Sequence, residues 1–306
     1  MGQSNVSVIV VSYNTKEKLR RCLAAIEPEH EVIVVDNTSS DGSAEMVAAS
    51  FPSVVLIRNV ENRGFGAANN QGLDVATRPL VLYLNSDCYA FPGAISLLAS
   101  CFDDAAVVAA GGKLLNPDGS LQESVARSLT LWAVFSEQML LEKLPFTRTY
   151  WCTREMVAKG LRECEQVTGA ALMAQRLERF DERFFLYCED TDLCFRLRKH
   201  GTIVFEPSAS FTHDLGSSST GVGRWKSVAR YNRGKELYFS IHRGGFASFV
   251  CWLFDRLGAL LRLVVWLVPC LLTLGIVKRF RDQVGLFARV LTSPILGPDR
   301  GLRTPR

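Results

Sequence analysis

Short apolar runs of strand length alternate with segments of helical periodicity over residues 6–85, and this alternation constrains the fold more than any other feature. The runs predict strands at residues 6–13, 31–36, 54–59 and 79–85, with helices at 15–27, 40–50 and 64–76 between them. Each run is apolar nearly throughout, which is typical of strands buried on both faces. The pattern therefore predicts an α/β fold with a mostly parallel central sheet and helices on both faces.

Polar residues follow each of these strands. They are Ser12, Tyr13 and Asn14 after the first strand, Asp36 after the second, Arg63, Gly64 and Asn69 after the third, and Asn85, Ser86 and Asp87 after the fourth. Ligands of open parallel sheets bind at the carboxyl ends of the strands. We therefore predict that these side chains lie at one edge of the sheet and form a binding site.

A cluster of carboxylates follows an apolar run later in the chain. The stretch FFLYCEDTDLCFRLRKHG, residues 184–201, places Glu189, Asp190 and Asp192 almost side by side. An acid in the first turn of a helix is favoured by about 0.3–1 kcal/mol without any catalytic role. This interpretation suffices for Asp192. A carboxylate in a partly apolar site can also accept a proton from a hydroxyl group, so Glu189 and Asp190 are candidates for acid–base chemistry.

Composition excludes several other classes of protein. The chain is 48% hydrophobic and 22% charged, which predicts a packed core. Its net charge of +4 is mild and gives no indication of a nucleic-acid partner. Nine cysteines without a CxxC pair favour free thiols in a reducing cytoplasm.

The segment GFGAANNQG fails as a dinucleotide fingerprint, because Asn69 stands where the third glycine or alanine is required.

Five stretches together resemble the family 2 glycosyltransferases, inverting enzymes with the GT-A fold. They are VSVIVVSYN, VIVVDNTSSDGS, NRGFGAANNQG, YLNSD and FDERFFLYCEDTDLCFRLRKHG, and they span residues 6–201. Within the family, the chain most resembles bacterial rhamnosyltransferases of cell-envelope glycan assembly. The resemblance implies transfer of one sugar, rhamnose from dTDP-rhamnose, to a hydroxyl of a lipid-linked or other glycan acceptor. A UDP-sugar-dependent transferase of the same fold and a non-catalytic GT-A module that binds a nucleotide or a partner are the alternatives.

The resemblance also assigns residues to the nucleotide-sugar donor. They are Ser12, Tyr13, Asn14, Asp36, Arg63, Gly64, Asn69, Asn85 and Ser86. Asp36 would accept a hydrogen bond from the N3–H group of a pyrimidine, and Tyr13 would lie against the base. Gly64 would allow the backbone to approach the diphosphate at a helix N-terminus.

A metal site and a catalytic base follow from the same resemblance. Asn85-Ser86-Asp87 takes the place of the family's metal-binding Asp-x-Asp, so Asp87 would bind Mg²⁺ or Mn²⁺. Because Asn85 replaces an acid, we expect a second ligand, and His213 in SFTHD is the candidate. Asp190 aligns with the family's catalytic base, and Glu189 would hold the acceptor or orient the base.

The C-terminal region is strongly apolar. Its uninterrupted apolar part, Leu263–Val277, has 15 residues, whereas a membrane span needs roughly 20. Basic residues flank it, among them Arg256 and Arg262, and they suit anionic lipid head groups. We predict a GT-A domain at 1–220, a basic linker or helix at 221–245 and membrane-associating helices at 246–306. The predicted location is cytoplasmic, peripheral on the inner face of the bacterial membrane, and a homo-oligomer is compatible with the sequence.

Overall fold

The computed structural model describes residues 4–141, 150–160, 162–214 and 223–293. The strands are β1 (Val6–Ser12), β2 (Glu31–Asp36), β3 (Val55–Arg58), β4 (Leu80–Asn85), β5 (Cys88–Ala90), β6 (Val107–Leu115), β7 (Val125–Ala126), β8 (Glu163–Cys164), β9 (Gln166–Val167), β10 (Ala171–Gln175) and β11 (Thr202–His213). The helices are α1 (Lys16–Ala24), α2 (Ser43–Ser50), α3 (Phe65–Val75), α4 (Ala94–Ser100), α5 (Leu131–Gln138), α6 (Thr153–Lys159), α7 (Glu189–Leu197), α8 (Arg224–Arg243), α9 (Gly245–Leu272) and α10 (Lys278–Leu291). Every strand and helix predicted in the first 85 residues is present, with its ends shifted by a few residues.

The chain divides into two compact units. The first comprises Met1–Ser128, Trp151–Phe185 and Glu189–Leu215, and the second comprises Leu129–Tyr150, Leu186–Cys188 and Gly216–Arg306. The segment that carries α5 therefore groups with the C-terminal helices. The predicted domain boundary at residue 220 lies outside the described residues and stays a prediction.

A nine-stranded sheet forms the centre of the first unit. Its order is β3-β2-β1-β4-β10-β6-β11-β5, and β8 pairs with β11. Strands β3, β2, β1 and β4 are parallel neighbours, as are β6 and β11, whereas β10 runs antiparallel between β4 and β6. This arrangement confirms the predicted α/β fold with a mostly parallel sheet.

Alternate residues of the central strand β1 belong to different apolar clusters. Val8 and Val10 are buried with residues of α1 and α2, such as Leu19. Ile9, between them, is buried with residues of α3 and α7, such as Leu193. Since successive side chains of a strand point to opposite faces, helices cover both faces of the sheet. This double burial explains why β1 is apolar along almost its whole length.

Charged side chains of α9 form hydrogen bonds with other residues of the second unit. Asp255 is buried, and its carboxylate accepts from Lys235 Nζ of α8 at 2.7 Å. Arg256 donates to the carbonyl oxygens of Leu291 at 3.1 Å and Ser293 at 3.0 Å, which satisfies the C-terminal end of α10. The expectation that Arg256 contacts lipid head groups is therefore wrong.

Arg262 is likewise an internal side chain. Its guanidinium donates to the main-chain oxygen of Gln138 at 2.7 Å and to that of Glu137 at 2.9 Å, at the end of α5. These bonds anchor α5 to α9 and correct the prediction that Arg262 serves the membrane surface. In the part of the chain that the structure describes, no helix has both the length and the apolar character needed to cross a membrane.

Candidate active site

The pairing of β1 with its two neighbours brings three strand ends to one edge of the sheet. Ser12 of β1 lies opposite Asp36 of β2, and Val11 lies opposite Asn85 of β4. The N–H of Asn37 donates to the carbonyl oxygen of Ser12 at 2.8 Å and fixes the chain where it leaves β2. The predicted strand-end residues Ser12, Asp36 and Asn85 therefore lie side by side.

Asp36 presents an unused hydrogen-bond acceptor at this edge. Its side chain is 3% exposed. Oδ2 accepts from the N–H of Ser39 at 2.9 Å, whereas Oδ1 has no hydrogen-bond partner among the described residues. A buried polar atom without a partner costs about 1–3 kcal/mol. This carboxylate oxygen can accept a hydrogen bond from an N–H donor of a ligand, and the partly exposed Tyr13 lies in the adjoining loop.

Asn14 and Ser86 have partners within the protein. Asn14 Oδ1 accepts from the N–H of Ser40 at 2.7 Å, so it ties the loop after β1 to the loop after β2. Ser86 Oγ accepts from Thr15 Oγ1 at 2.9 Å, and the Thr15 hydroxyl lies 3.1 Å from that of Ser12. These side chains hold the strand-end loops together, and their predicted contact with a nucleotide stays a prediction.

Gly64 is required by the packing of the chain itself. Its φ is +87°, and a Cβ atom there would lie 2.5 Å from the carbonyl oxygen of Phe185. The same oxygen accepts from the first N–H of α3, that of Phe65, at 2.9 Å. The close approach seen in the structure is therefore to another segment of the chain. The approach of Gly64 to a diphosphate stays a prediction.

Arg63 and Asn69 lie on either side of this turn. The guanidinium of Arg63 is 3.6 Å from the carboxylate of Glu182, and the two side chains are 40% and 49% exposed. Asn69 is buried within α3, where its amide donates to the carbonyl oxygen of Phe65 at 3.0 Å. Its Oδ1 has no hydrogen-bond partner in the described part of the chain. Neither side chain joins the strand-end cluster through a direct bond to it.

Asn85, Asp87 and His213 converge on one point. Antiparallel pairing of β5 with β11 places His213 opposite Cys88, which follows Asp87 in the chain. As a result, His213 Nε2 lies 3.3 Å from Asp87 Oδ1 and 3.3 Å from the side-chain amide nitrogen of Asn85. A carboxylate oxygen and an imidazole nitrogen this close could together hold Mg²⁺ or Mn²⁺.

The donor set also limits how such an ion could be bound. Among the described residues, no group of three His, Cys, Asp or Glu side chains is arranged to bind a metal. Asp87 and His213 would therefore need oxygen atoms of the substrate or water to complete the coordination shell, and Asn85 could add its amide oxygen only by rotating the amide whose nitrogen faces His213. Imidazole beside hard oxygen ligands suits Mn²⁺ better than Mg²⁺.

Lys18 contacts this cluster and was not among the predicted site residues. Its Nζ lies 3.9 Å from Asp87 Oδ2 and 3.7 Å from Asp214 Oδ2. Tyr89 also donates to Asp214 at 3.1 Å, and Arg21 lies 3.7 Å from the same carboxylate. These cations offset the charge of the two acids. Lys18 belongs to α1, and the contact depends on the packing of this helix beside β5, which no local pattern indicates.

Asp190 is held at the start of α7 by main-chain donors. Its Oδ2 accepts from the N–H of Gly169 at 2.8 Å, and its Oδ1 accepts from the N–H of Thr191 at 2.8 Å. Burial raises the pKa of Asp190 above its ordinary value, and these hydrogen bonds oppose the shift. The neighbouring Glu189 is buried. A carboxylate held in this way is suited to accept a proton from a hydroxyl group.

The turn at Gly169 connects Asp190 to the strand-end cluster. Asn85 N–H donates to the carbonyl oxygen of Ala170 at 3.0 Å, directly after the glycine that donates to Asp190. A Cβ atom on Gly169 would lie 3.3 Å from that of Asp190, so a larger residue would crowd the carboxylate. Asp192, by contrast, accepts from Arg196 at 2.7 Å within α7, which supports its predicted structural role.

Gln122 is a further residue that the motifs did not identify. It is buried, and its side chain bonds both the ring and the main chain of His213. A glutamine after the turn at residues 116–120 carries no motif of its own. Gln122 and His213 are 91 residues apart in the chain, so only the tertiary fold brings them into contact.

Comparison with known proteins identifies the family. The family model described as glycosyl transferase family 2 matches residues 7–164. The N-acetylglucosaminyl-diphospho-decaprenol L-rhamnosyltransferase of Mycobacterium tuberculosis is 28% identical over 263 residues, which cover 78% of this chain and 85% of the relative. The low-salt glycan biosynthesis hexosyltransferase Agl10 of Haloferax volcanii is 26% identical over 205 residues, covering 64% and 62%.

Solved structures support the fold. The mannosyltransferase PcManGT from Pyrobaculum calidifontis, in complex with GDP-Man and Mn²⁺, superposes with a TM-score of 0.53 at 16% identity and covers 95% of this chain and 86% of that one. GalNAc-T7 with UDP, GalNAc and Mn²⁺ gives a TM-score of 0.53 at 15% identity, covering 77% and 49%. The family model spans more than half of the 306 residues and confirms the resemblance seen in the motifs. The chain therefore belongs to glycosyl transferase family 2 and is a glycosyltransferase with the GT-A fold.

Proposed function

We propose that this glycosyltransferase moves rhamnose from dTDP-rhamnose to a hydroxyl of a lipid-linked cell-envelope glycan, with inversion at the anomeric carbon. The observation that carries the donor proposal is the unpaired Oδ1 of Asp36 at the strand-end edge. Thymine offers an N3–H donor to such an acceptor. The acceptor class is supported by the Mycobacterium tuberculosis relative, whose name specifies a diphospho-decaprenol acceptor and rhamnosyl transfer.

Asp190 would act as the base in this reaction. Its carboxylate removes the proton of the acceptor hydroxyl while the oxygen attacks the anomeric carbon and the bond to the diphosphate breaks. The main-chain donors at Gly169 and Thr191 hold both oxygens of Asp190 in place. Glu189 would hold the acceptor or orient the base. Asn85, Asp87 and His213 would bind Mg²⁺ or Mn²⁺, which offsets negative charge on a leaving diphosphate when bound.

A UDP-sugar donor is the second candidate, because uracil carries the same N3–H donor as thymine. A panel of dTDP-rhamnose, UDP-sugars and GDP-sugars, each with Mn²⁺, separates these cases by thermal stabilisation. We expect dTDP-rhamnose to stabilise most, by about 2.7 kcal/mol at a hundred times its Kd. Asp36→Asn should weaken dTDP binding about 10- to 150-fold, since a hydrogen bond to a charged group contributes roughly 1.5–3 kcal/mol.

The exposed Asp74 provides a control for this panel, because Asp74→Asn should bind dTDP-rhamnose like the unaltered chain. Greater stabilisation by UDP-sugars would select the second candidate. Equal stabilisation by GDP-sugars, or unchanged dTDP binding by Asp36→Asn, would refute the role of Asp36 in reading a pyrimidine.

An apolar surface on α9 and the following turn supports a peripheral membrane location. Large apolar side chains that are more than a third exposed recur along it: Phe246, Phe249, Leu253, Leu257, Leu260, Val264, Val265, Leu267, Val268, Leu271, Leu272, Leu274, Ile276 and Val277. Lys278, Arg279 and Arg281 follow directly. A helix with this pattern lies in the head-group region of a membrane. We place the protein on the cytoplasmic face of the bacterial inner membrane.

Serine substitutions on this surface test the membrane proposal. Val264, Val268 and Leu271 are 52%, 55% and 65% exposed, so their combined replacement removes apolar area without opening the core. We expect the triple variant to bind phosphatidylglycerol-containing vesicles at least about tenfold more weakly in a sedimentation assay, because membrane affinity scales with buried apolar area. Val60→Ser, at a 96% exposed residue of the first unit, should bind as before. Equal sedimentation of the triple variant would refute the proposal.

A further inference from the structure

We propose that Gln122 is a positioning residue that keeps Nε2 of His213 free of a proton and directed at Asp87, ready to bind a metal ion. The proposal rests on the metal-dependent function proposed above, and it assigns a role to a side chain outside the five stretches that carry the family resemblance. It follows from the donor-to-acceptor direction of a series of linked hydrogen bonds within the first unit. Each hydrogen bond in this series can have only one donor and one acceptor.

The direction is set first by the side-chain amide of Gln122. Its Nε2 lies 3.1 Å from the main-chain oxygen of His213, which can only accept. It also lies 2.8 Å from Asn116 Oδ1. The nitrogen end of the amide must therefore face these two atoms. The oxygen end, Oε1, then faces Nδ1 of His213 at 2.8 Å. Since Oε1 can only accept, Nδ1 carries the proton.

A second set of bonds confirms the orientation of Asn116. The carboxylate of Asp118 accepts from the hydroxyl of Ser120 at 2.6 Å and from its main-chain N–H at 2.9 Å. Ser120 Oγ in turn accepts from Asn116 Nδ2 at 2.9 Å. Asn116 therefore presents its oxygen to Gln122. The hydrogen bonds therefore run in one direction, from the imidazole through Gln122, Asn116 and Ser120 to the carboxylate of Asp118, and the imidazole is the first donor.

The other ring nitrogen faces the metal-binding groups. With the proton on Nδ1, the neutral ring has a lone pair on Nε2, 3.3 Å from Asp87 Oδ1. Two acceptors at this distance repel each other unless a proton or a metal cation lies between them, and the amide nitrogen of Asn85, also 3.3 Å from Nε2, can donate to its lone pair. The arrangement thus has the form of a histidine metal ligand whose second nitrogen is fixed by a neighbour, the pattern that orients such ligands in metal sites.

The test compares two substitutions that separate the hydrogen bond from packing. Gln122→Glu keeps an acceptor opposite Nδ1 but replaces the nitrogen that donates to His213 and Asn116, whereas Gln122→Leu removes both groups at similar size. We expect Gln122→Leu to weaken Mn²⁺ binding, measured by electron paramagnetic resonance, about 10- to 100-fold. Gln122→Glu should bind Mn²⁺ more tightly than Gln122→Leu, because it keeps the acceptor opposite Nδ1. Gln175→Leu is the matched control, because Gln175 bonds the main-chain oxygen of Val107 at 2.9 Å, away from these residues.

A metal-free measurement distinguishes failure of this role from failure of the proposed metal dependence. The chain has four histidines, so a ¹⁵N-histidine NMR spectrum is readily assigned by substitution. On the neutral ring, at the alkaline end of a pH series, we expect His213 to carry its proton on Nδ1 in the unaltered chain. In Gln122→Leu we expect the proton to shift toward Nε2. A proton on Nε2 of the unaltered chain, or an unchanged spectrum and unchanged Mn²⁺ affinity in Gln122→Leu, would overturn the role of Gln122.

Discussion

Asp190→Asn is expected to lower kcat about 10²- to 10⁴-fold while the affinity for the nucleotide-sugar donor stays unchanged. The substitution keeps one oxygen that can accept from Gly169, gives up the bond from the N–H of Thr191, and removes the group that takes the proton. Steady-state kinetics with a defined acceptor, together with donor titration by calorimetry, measures both quantities. Asp74→Asn, which changes an exposed ion pair with Arg179, should leave kcat as it was.

The pH dependence of the same reaction provides an independent check. Burial raises the pKa of Asp190 above 3.8. A base must be ionised to accept a proton, so kcat/KM should fall as the pH falls through this raised pKa. The midpoint should lie above the range of an exposed aspartate. Normal turnover by Asp190→Asn, or a rate independent of pH over the acid range, would exclude Asp190 as the base.

Asp87→Ala is expected to remove the response of donor binding to Mn²⁺. Asp87 is the anionic member of the set that His213 and Asn85 complete, so its loss leaves only neutral ligands there. Because the charge stabilisation from a bound ion is several kcal/mol, we expect Mn²⁺-dependent turnover to fall at least about 100-fold. Titration of the donor with and without Mn²⁺ measures the change.

Asp214→Asn is the informative comparison for Asp87. Its carboxylate contacts Lys18, as that of Asp87 does, and it also accepts from Tyr89. If Asp87 acts as a metal ligand, Asp214→Asn should keep the Mn²⁺ response. If Asp87 acts only by balancing the charge of Lys18, Asp87→Ala and Asp214→Asn should change the Mn²⁺ response alike. A Mn²⁺ response that persists in Asp87→Ala would contradict the ligand assignment.

The parallel part of the sheet could be predicted from local patterns because its strands are buried on both faces. An apolar run such as VIVVD needs no long-range information to be recognised as a buried strand. The end of that strand then determines where Asp36 lies, since all parallel strands end at the same edge. The convergence of Ser12, Asp36 and Asn85 follows once β1 pairs in parallel with β2 and β4.

The contacts around His213 could not be predicted in the same way. They depend on the antiparallel pairing of β5 with β11, between residues that are more than 100 positions apart. Gln122 reaches His213 because β6, which precedes it, pairs with β11, and Lys18 reaches Asp87 because α1 packs beside β5. The charges of α9 show the same limitation. Arg256 follows a membrane-like pattern in the sequence, yet it bonds main-chain oxygens at the end of α10.

The most direct test of the proposed function is the reaction itself. The purified chain is incubated with Mn²⁺, dTDP-rhamnose and a prenyl-diphosphate-linked sugar, and the product is analysed by mass spectrometry and NMR. We predict an acceptor with one added deoxyhexose, whose anomeric configuration is opposite to that of the donor. Donor binding without any product from dTDP-, UDP- or GDP-sugars would instead identify a non-catalytic module, and a product with retained configuration would contradict direct displacement assisted by Asp190.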